Sequence, residues 1–243
     1  MATLKAVLFD IDDTLFSTTT FAHRARTNAV RAMVAAGLKS DEETVLRELG
    51  EVVAEFSSNY DHHYDQLLKR LGPDAVLAGV NPALIVAAGV AAYHDTKFRE
   101  LEVFDDVYPF LEDLRAAGLK TGVVTHGWTN KQAEKLVRLG LVPYLDPRAI
   151  FISDQIGISK PNPKIYQHAL RELGLQPKEA MYIGDNPITD IAPPNELGMI
   201  TVWIRRAAKE NIEGTGIVPD HAVDDFEELR PILQERYGVE MGG

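Results

Sequence analysis

The chain has 243 residues, 36 acidic and 25 basic side chains, a formal net charge of −11 and no cysteine. That balance argues against a nucleic-acid partner, because displacing counterions from a duplex needs clustered Lys and Arg. The missing Cys excludes disulfides, thiolate zinc sites and cysteine nucleophiles.

Apolar residues make up 45% and charged residues 25%, as in ordinary globular proteins, and the length suits one large domain or a domain with an insert. No apolar run reaches the ~18–20 residues of a membrane span; Pro82–Tyr93 comes nearest and contains Gly89. Before Asp10 the only apolar residues in a run are Leu4 and Ala6–Phe9, short of a signal-peptide core. The expectation is a cytoplasmic protein with a small-molecule partner, no nucleic acid and no membrane. Nothing in the residues fixes an oligomeric state.

Ala6–Phe9 predicts a buried first strand. From Phe16 to Phe104 no strand pattern follows; helical periods run over Thr19–Ala36, Asp41–Leu71 and Pro82–Phe98, with Gly72-Pro73 and Asn81-Pro82 as turns. Residues 17–104 therefore read as an all-helical insert into a core made of 1–16 and 105–243. Val107, Phe110, Leu111 and Leu114 then form one helical face, ended by Gly118. Strands are predicted at Gly122–Val124, Ala149–Ile152, Ala180–Ile183, Ile200–Ile204 and His221–Val223. Pro163 opens a helix carrying Ile165, Tyr166, Ala169, Leu170 and Leu173 inward, and Gly174 closes it. In the last, acid-rich segment Phe226, Leu229 and Leu233 pack inward from a solvated helix. The alternation predicts an α/β fold, a Rossmann-like parallel sheet with helices on both faces.

In such sheets the ligand lies beyond the carboxyl ends of the strands. There the sequence places Asp10-Ile11-Asp12-Asp13-Thr14, Thr125-His126-Gly127, Ser159-Lys160-Pro161-Asn162-Pro163 and Gly184-Asp185-Asn186-Pro187-Ile188-Thr189-Asp190. Asp10, Asp12, Asp185 and Asp190, gathered without Arg, would repel one another unless a hard divalent cation sat among them, and oxygen ligands of this kind favour Mg²⁺. A cation bordered by Lys160, a Thr hydroxyl and loop amides is a dianion site suited to phosphate. Asp10 and Asp12 lie on one side of an extended chain. One can attack phosphorus while the other protonates the leaving oxygen and later activates water.

Asp10-Ile11-Asp12-Asp13-Thr14-Leu15, Thr125, Lys160-Pro161-Asn162-Pro163 and Gly184-Asp185-x3-Thr189-Asp190 resemble, in order, the four motifs of the haloacid dehalogenase superfamily. The resemblance spans the sheet domain, and the insert stands where that family carries its helical cap. It implies that Asp10 is a nucleophile forming an aspartyl-phosphate. Asp12 would be the general acid and base, which also lends a backbone carbonyl to Mg²⁺. Thr125, the backbone amide of His126, and Lys160 would hold the phosphoryl group; Asp185 would ligate the metal and Asp190 would stand in its outer shell. Dehalogenases usually lack an acid at the position of Asp12, so the resemblance favours a phosphatase acting on a small soluble phosphorylated metabolite. A phosphomutase-like phosphoryl transferase, a 2-haloacid dehalogenase and a non-catalytic phosphate-binding protein are the alternatives. The chain departs from its relatives at His126, where Asn or Ser is common, and at Pro193-Pro194, where Gly-Ala is common.

Taken alone, Asp10–Thr14 would be a helix cap or turn; a calcium loop is excluded because Leu15 and Phe21 stand at its Gly and Glu positions. Weaker candidates are His23 and Arg24 at the start of the insert, and the polar-aromatic cluster of Asn59, Tyr60, His62, His63 and Tyr64. Trp128 reads as a packing residue.

Overall fold

A computed structural model describes residues 3–57 and 60–242. The chain forms two compact units: one holds the chain up to Thr18 and from Glu102 onward, the other Thr19–Leu101.

The first strand, β1 (Ala6–Phe9), is wholly buried, as a run apolar on both faces requires. The four helices that follow are α1 (Thr18–Ala35), α2 (Glu42–Phe56), α3 (His63–Leu71) and α4 (Pro82–Glu100). Asp41 caps α2 by accepting from the Thr44 amide at 2.8 Å, and Asn81 caps α4, where Pro82 takes the first helical position. The helices share a core of Ala29, Val30 and Met33 with Val45, Leu49, Leu67 and Ile85.

One expectation is corrected here: Asp41–Leu71 is not a single helix. Ser57 leaves helical geometry at φ 68°, and α3 starts only at His63. Small polar side chains at this point offer the backbone rival hydrogen bonds. The His63 ring bonds the Ser57 carbonyl at 2.8 Å, and Phe56 stacks on Tyr60 at 5.0 Å. Tyr64 belongs to the helical core, whereas His62 is exposed; Asn59 lies outside the described residues. His23 and Arg24 line a shallow groove of about 530 Å³ along α1, with Thr27 and Arg31.

The other unit is a parallel sheet of β1, β2 (Lys120–Thr125), β3 (Ile150–Ile152), β4 (Ala180–Gly184), β5 (Ile200–Ile204) and β6 (His221–Val223), in the order β3-β2-β1-β4-β5-β6. Its helices are α5 (Val107–Ala116), α6 (Thr129–Arg138), α7 (Ser153–Ile156), α8 (Lys164–Leu173), α9 (Ala192–Leu197) and α10 (Phe226–Tyr237). Pro163 falls one position earlier than predicted, as the residue that caps α8, and Gly174 ends that helix in the left-handed conformation.

Successive residues of β1 serve opposite faces. Leu8 packs with Ile165, Tyr166 and Ala169 of α8. Phe9 meets Phe110 of α5 and Phe226 of α10 edge-on, at 6.3 and 5.8 Å, while those two rings stack at 4.5 Å. Helices thus cover both faces of the sheet. Phe226, Leu229 and Leu233 are fully buried along α10. The strand order reverses direction between β1 and β4, which opens a crevice beyond their carboxyl ends. Among the described residues no helix is long and apolar enough to cross a membrane.

Candidate active site

The crevice is where the chemistry collects. Phe9 pairs with Ile183 of β4 and Val123 of β2, so the first residue past β1, Asp10, stands between the ends of β4 and β2. Its amide donates to the Ile183 carbonyl at 2.9 Å. A cavity of about 410 Å³ is lined by Asp10, Asp12, Asp13, His126, Lys160, Asp185, Asn186, Asp190 and Lys209, among others. All belong to the sheet-bearing unit.

Lys160 is the hub. Its ammonium donates to Asp10 Oδ1 at 2.8 Å, to Asp190 Oδ1 at 2.7 Å and to the Tyr182 hydroxyl at 3.2 Å, with only 3% of its side chain exposed. Tyr182 is anchored in turn on the Val124 carbonyl at 2.7 Å. Asp190 is held by a π-helical turn, Pro187–Ile191, which Asn186 caps through the amides of Ile188 and Thr189. Gly184 is required for this packing: a Cβ there would lie 2.4 Å from that of Asp190.

Asp10, Asp185 and Asp190 each offer a carboxylate oxygen within 4.8 Å of the others. Burial, foremost, and then the neighbouring carboxylates push Asp185 up to about 8. Burial raises Asp10 to about 7, against the opposing pull of Lys160. Without a cation this group therefore retains protons near neutrality, and an all-oxygen donor set in that condition fits a hard divalent ion that takes the protons' place.

The sequence reading gathered four carboxylates; the structure divides them. Asp12 stands outside that trio although it lines the same cavity, and Lys135 of α6 donates to both its oxygens at 2.6 and 2.7 Å. Asp190 likewise has Lys160 for a partner. Two lysines thus neutralise part of the charge that the sequence reading left to a cation alone.

Thr125 ends β2 fully buried, and its Oγ1 has no hydrogen-bond partner. It is not among the residues lining the cavity. An orphaned hydroxyl beside the loop that leads into α6 suits an anion acceptor. The next residue, His126, places its ring Nδ1 2.5 Å from Ser159 Oγ. Trp128, expected to pack, is instead half exposed, with the Lys131 ammonium 4.5 Å from its ring, because it stands at the outer entry to α6.

Sequence reasoning missed Lys135, Gln132, Tyr182, Asp13 and Lys209. Asp13 is buried at φ 56° and accepts from the Thr18 amide, the Thr18 hydroxyl and Lys209, at 2.8, 2.6 and 2.6 Å. It stands next to Asp12, yet nothing in the residue types distinguished it from a turn. Lys135 and Gln132 are spaced one turn apart on α6, the same spacing that any polar, solvated helix face shows.

A parallel sheet in this order, with buried carboxylates and a lysine at its switch point, defines a class of α/β enzymes that work on a ligand at the strand ends. A profile of the haloacid dehalogenase-like hydrolases matches residues 4–198. The chain is 48% identical to the glyceraldehyde 3-phosphate phosphatase of Methanopyrus kandleri over 96% of this chain and 98% of that one. It is 37% identical to the protein of the same name from Methanocaldococcus jannaschii, over 95% and 97%. The crystal structure of a HAD phosphatase from Thermococcus onnurineus superposes with a TM-score of 0.65 at 27% identity, covering 98% of this chain and all of that one. The chain belongs to the haloacid dehalogenase-like hydrolase family.

Proposed function

We propose that the protein is a Mg²⁺-dependent phosphomonoesterase, and that its substrate is a three-carbon sugar phosphate, glyceraldehyde 3-phosphate. One observation carries the reading. A buried carboxylate, Asp10, lies 2.8 Å from a buried lysine and within a trio of oxygen donors at the sheet's switch point. The substrate follows from the relatives that bear that name over nearly the whole chain.

In this reading an Asp10 oxygen attacks phosphorus and the ester oxygen leaves with a proton from Asp12. The Asp12 carboxylate then takes a proton from water as that water attacks the phosphoryl group on Asp10. Lys160, the Thr125 hydroxyl and the His126 amide hold the phosphoryl oxygens. Asp10, Asp185 and the Asp12 backbone carbonyl would hold Mg²⁺, with Asp190 in the outer shell. Bound there, the ion supplies positive charge against the transferring oxygens. The helical insert 17–104 stands in the chain where that family carries its cap. Release of inorganic phosphate from glyceraldehyde 3-phosphate, abolished by a chelator and restored by Mg²⁺, tests this; release indifferent to the ion rejects the metal's part.

The same carboxylates predict a pH signature. Asp10 at about 7 and Asp185 at about 8 lie above the ordinary 3.8. The folded state thus retains protons that the unfolded chain releases, and the metal-free protein loses stability as pH rises from about 4 to about 8. Mg²⁺ replaces those protons, so the gain in Tm on adding it is small near pH 5 and large near pH 8. A gain of the same size at both ends of that window would contradict the assignment of these two groups to the ion.

A further inference from the structure

The Asp12 carboxylate is gripped from one side by α6. Besides the two bonds from Lys135, Gln132 Nε2 lies 3.3 Å from Asp12 Oδ2 and donates to the His126 carbonyl at 2.7 Å. Gln132 is almost fully buried despite standing on a polar helix. Its reach depends on Gly127, at φ 137°, where a Cβ would come within 2.6 Å of the Gln132 amide nitrogen. The Lys135 ammonium lies 5.8 Å from the centre of the Phe16 ring, and Phe16 pairs through its backbone with Asp12. An exposed helix pair would need none of this: not the buried amide, not the glycine opposite it, not the ring beneath the ammonium.

We propose that Lys135 and Gln132 are positioning residues that hold the acid–base carboxyl of Asp12 against the loop after β2, a proposal that rests on the phosphatase reading above. In the first half-reaction the Asp10–phosphorus bond forms, the ester oxygen–phosphorus bond breaks, and the Asp12 proton passes to the departing oxygen. In the second, a water oxygen bonds to phosphorus, the Asp10–phosphorus bond breaks, and the water's proton returns to Asp12. Both transfers require the carboxyl in one place. Lys135 donates to both oxygens and Gln132 to Oδ2, all from α6, so the lone pairs turned from that helix are the ones left to carry the proton to the ester. Because Gln132 also holds the His126 carbonyl, the same helix turn ties the acid to the loop proposed to grip the phosphoryl group.

The discriminating readout is dependence on the leaving group. A phenolate departs from p-nitrophenyl phosphate with little need of a proton, whereas the alkoxide of glyceraldehyde 3-phosphate needs one. Lys135→Met is expected to lower kcat/KM on the alkyl ester by about 100-fold and on the aryl ester by less than about 10-fold. Lys135→Arg should restore most of the loss, and Gln132→Leu should shift the ratio in the same direction. Retained aryl phosphatase activity shows that the variant is folded. Equal losses on both esters, or no loss on either, would overturn the proposal while leaving the phosphatase reading intact. Wild-type protein inactive on both esters would overturn that reading, and this proposal with it.

Discussion

Replacing Asp10 by Asn is expected to abolish phosphate release, with kcat falling by at least about 10⁴-fold. The amide lacks the anionic oxygen that forms the covalent intermediate, yet it keeps the carboxylate's shape and one acceptor oxygen able to take the Lys160 bond. The fold should survive. Lys160 retains Asp190 at 2.7 Å and Tyr182 at 3.2 Å, and the position 10 amide still donates to the Ile183 carbonyl. Steady-state phosphate release gives the rate, and mass spectrometry of acid-quenched wild type gives the phosphoryl adduct on Asp10. Near-native turnover in the variant would rule out covalent catalysis at this residue.

Lys160→Met is expected to act on stability as well as on rate. The ammonium is buried between Asp10 and Asp190, and removing it leaves two buried carboxylates without their cation. Breaking such a cluster from one side typically costs about 3–5 kcal/mol. In the proposed mechanism the same ammonium holds the transferring oxygens, and its loss should cost about 10²–10³ in kcat besides. The stability loss should depend on pH in a definite direction. Lys160 is what lowers Asp10 against the pull of burial, so without it Asp10 holds its proton to still higher pH. The folded variant then binds protons that the unfolded chain gives up, and its deficit grows with pH. Denaturant midpoints of variant and wild type at about pH 5 and about pH 8 measure this. A deficit that does not grow between them would show that the Lys160–carboxylate cluster does not carry the charge balance described above. Mg²⁺ must be absent, since the ion would supply part of the missing positive charge.

Several of these residues could be found because of where parallel strands end. β1, β2, β4 and β5 are mostly apolar runs covered on both faces, and the polar residue that stops the run stands at the rim. Asp10 after β1, Thr125 at the end of β2 and Asp185 after β4 are marked in that way. Lys160 and Asp190 carry no strand signal; their spacing to motif neighbours marked them. The helix of Lys164–Leu173 was equally readable, with its inward face and terminal Gly174. The break between α2 and α3 was not, because Val45, Leu49, Leu67 and Leu68 keep a helical period across a segment that turns. Periodicity reports which residues face a core, not whether the chain reverses between them.

What the sequence by itself determined is the alternation of buried runs and amphipathic helices, and hence an α/β sheet with acids, a threonine and a lysine at its strand ends. Those features follow from side-chain polarity and local geometry, which each segment carries on its own. Only the tertiary structure decided the order β3-β2-β1-β4-β5-β6, which brings Asp10 and Asp185 together at the switch point. It also decided which acids share a site. Lys135 pairs with Asp12, while Lys160 gathers Asp10 and Asp190. The reason is physical: a charged side chain on a helix has the same local signature whether its partner is water or a carboxylate 123 positions away, and only packing brings that carboxylate within reach.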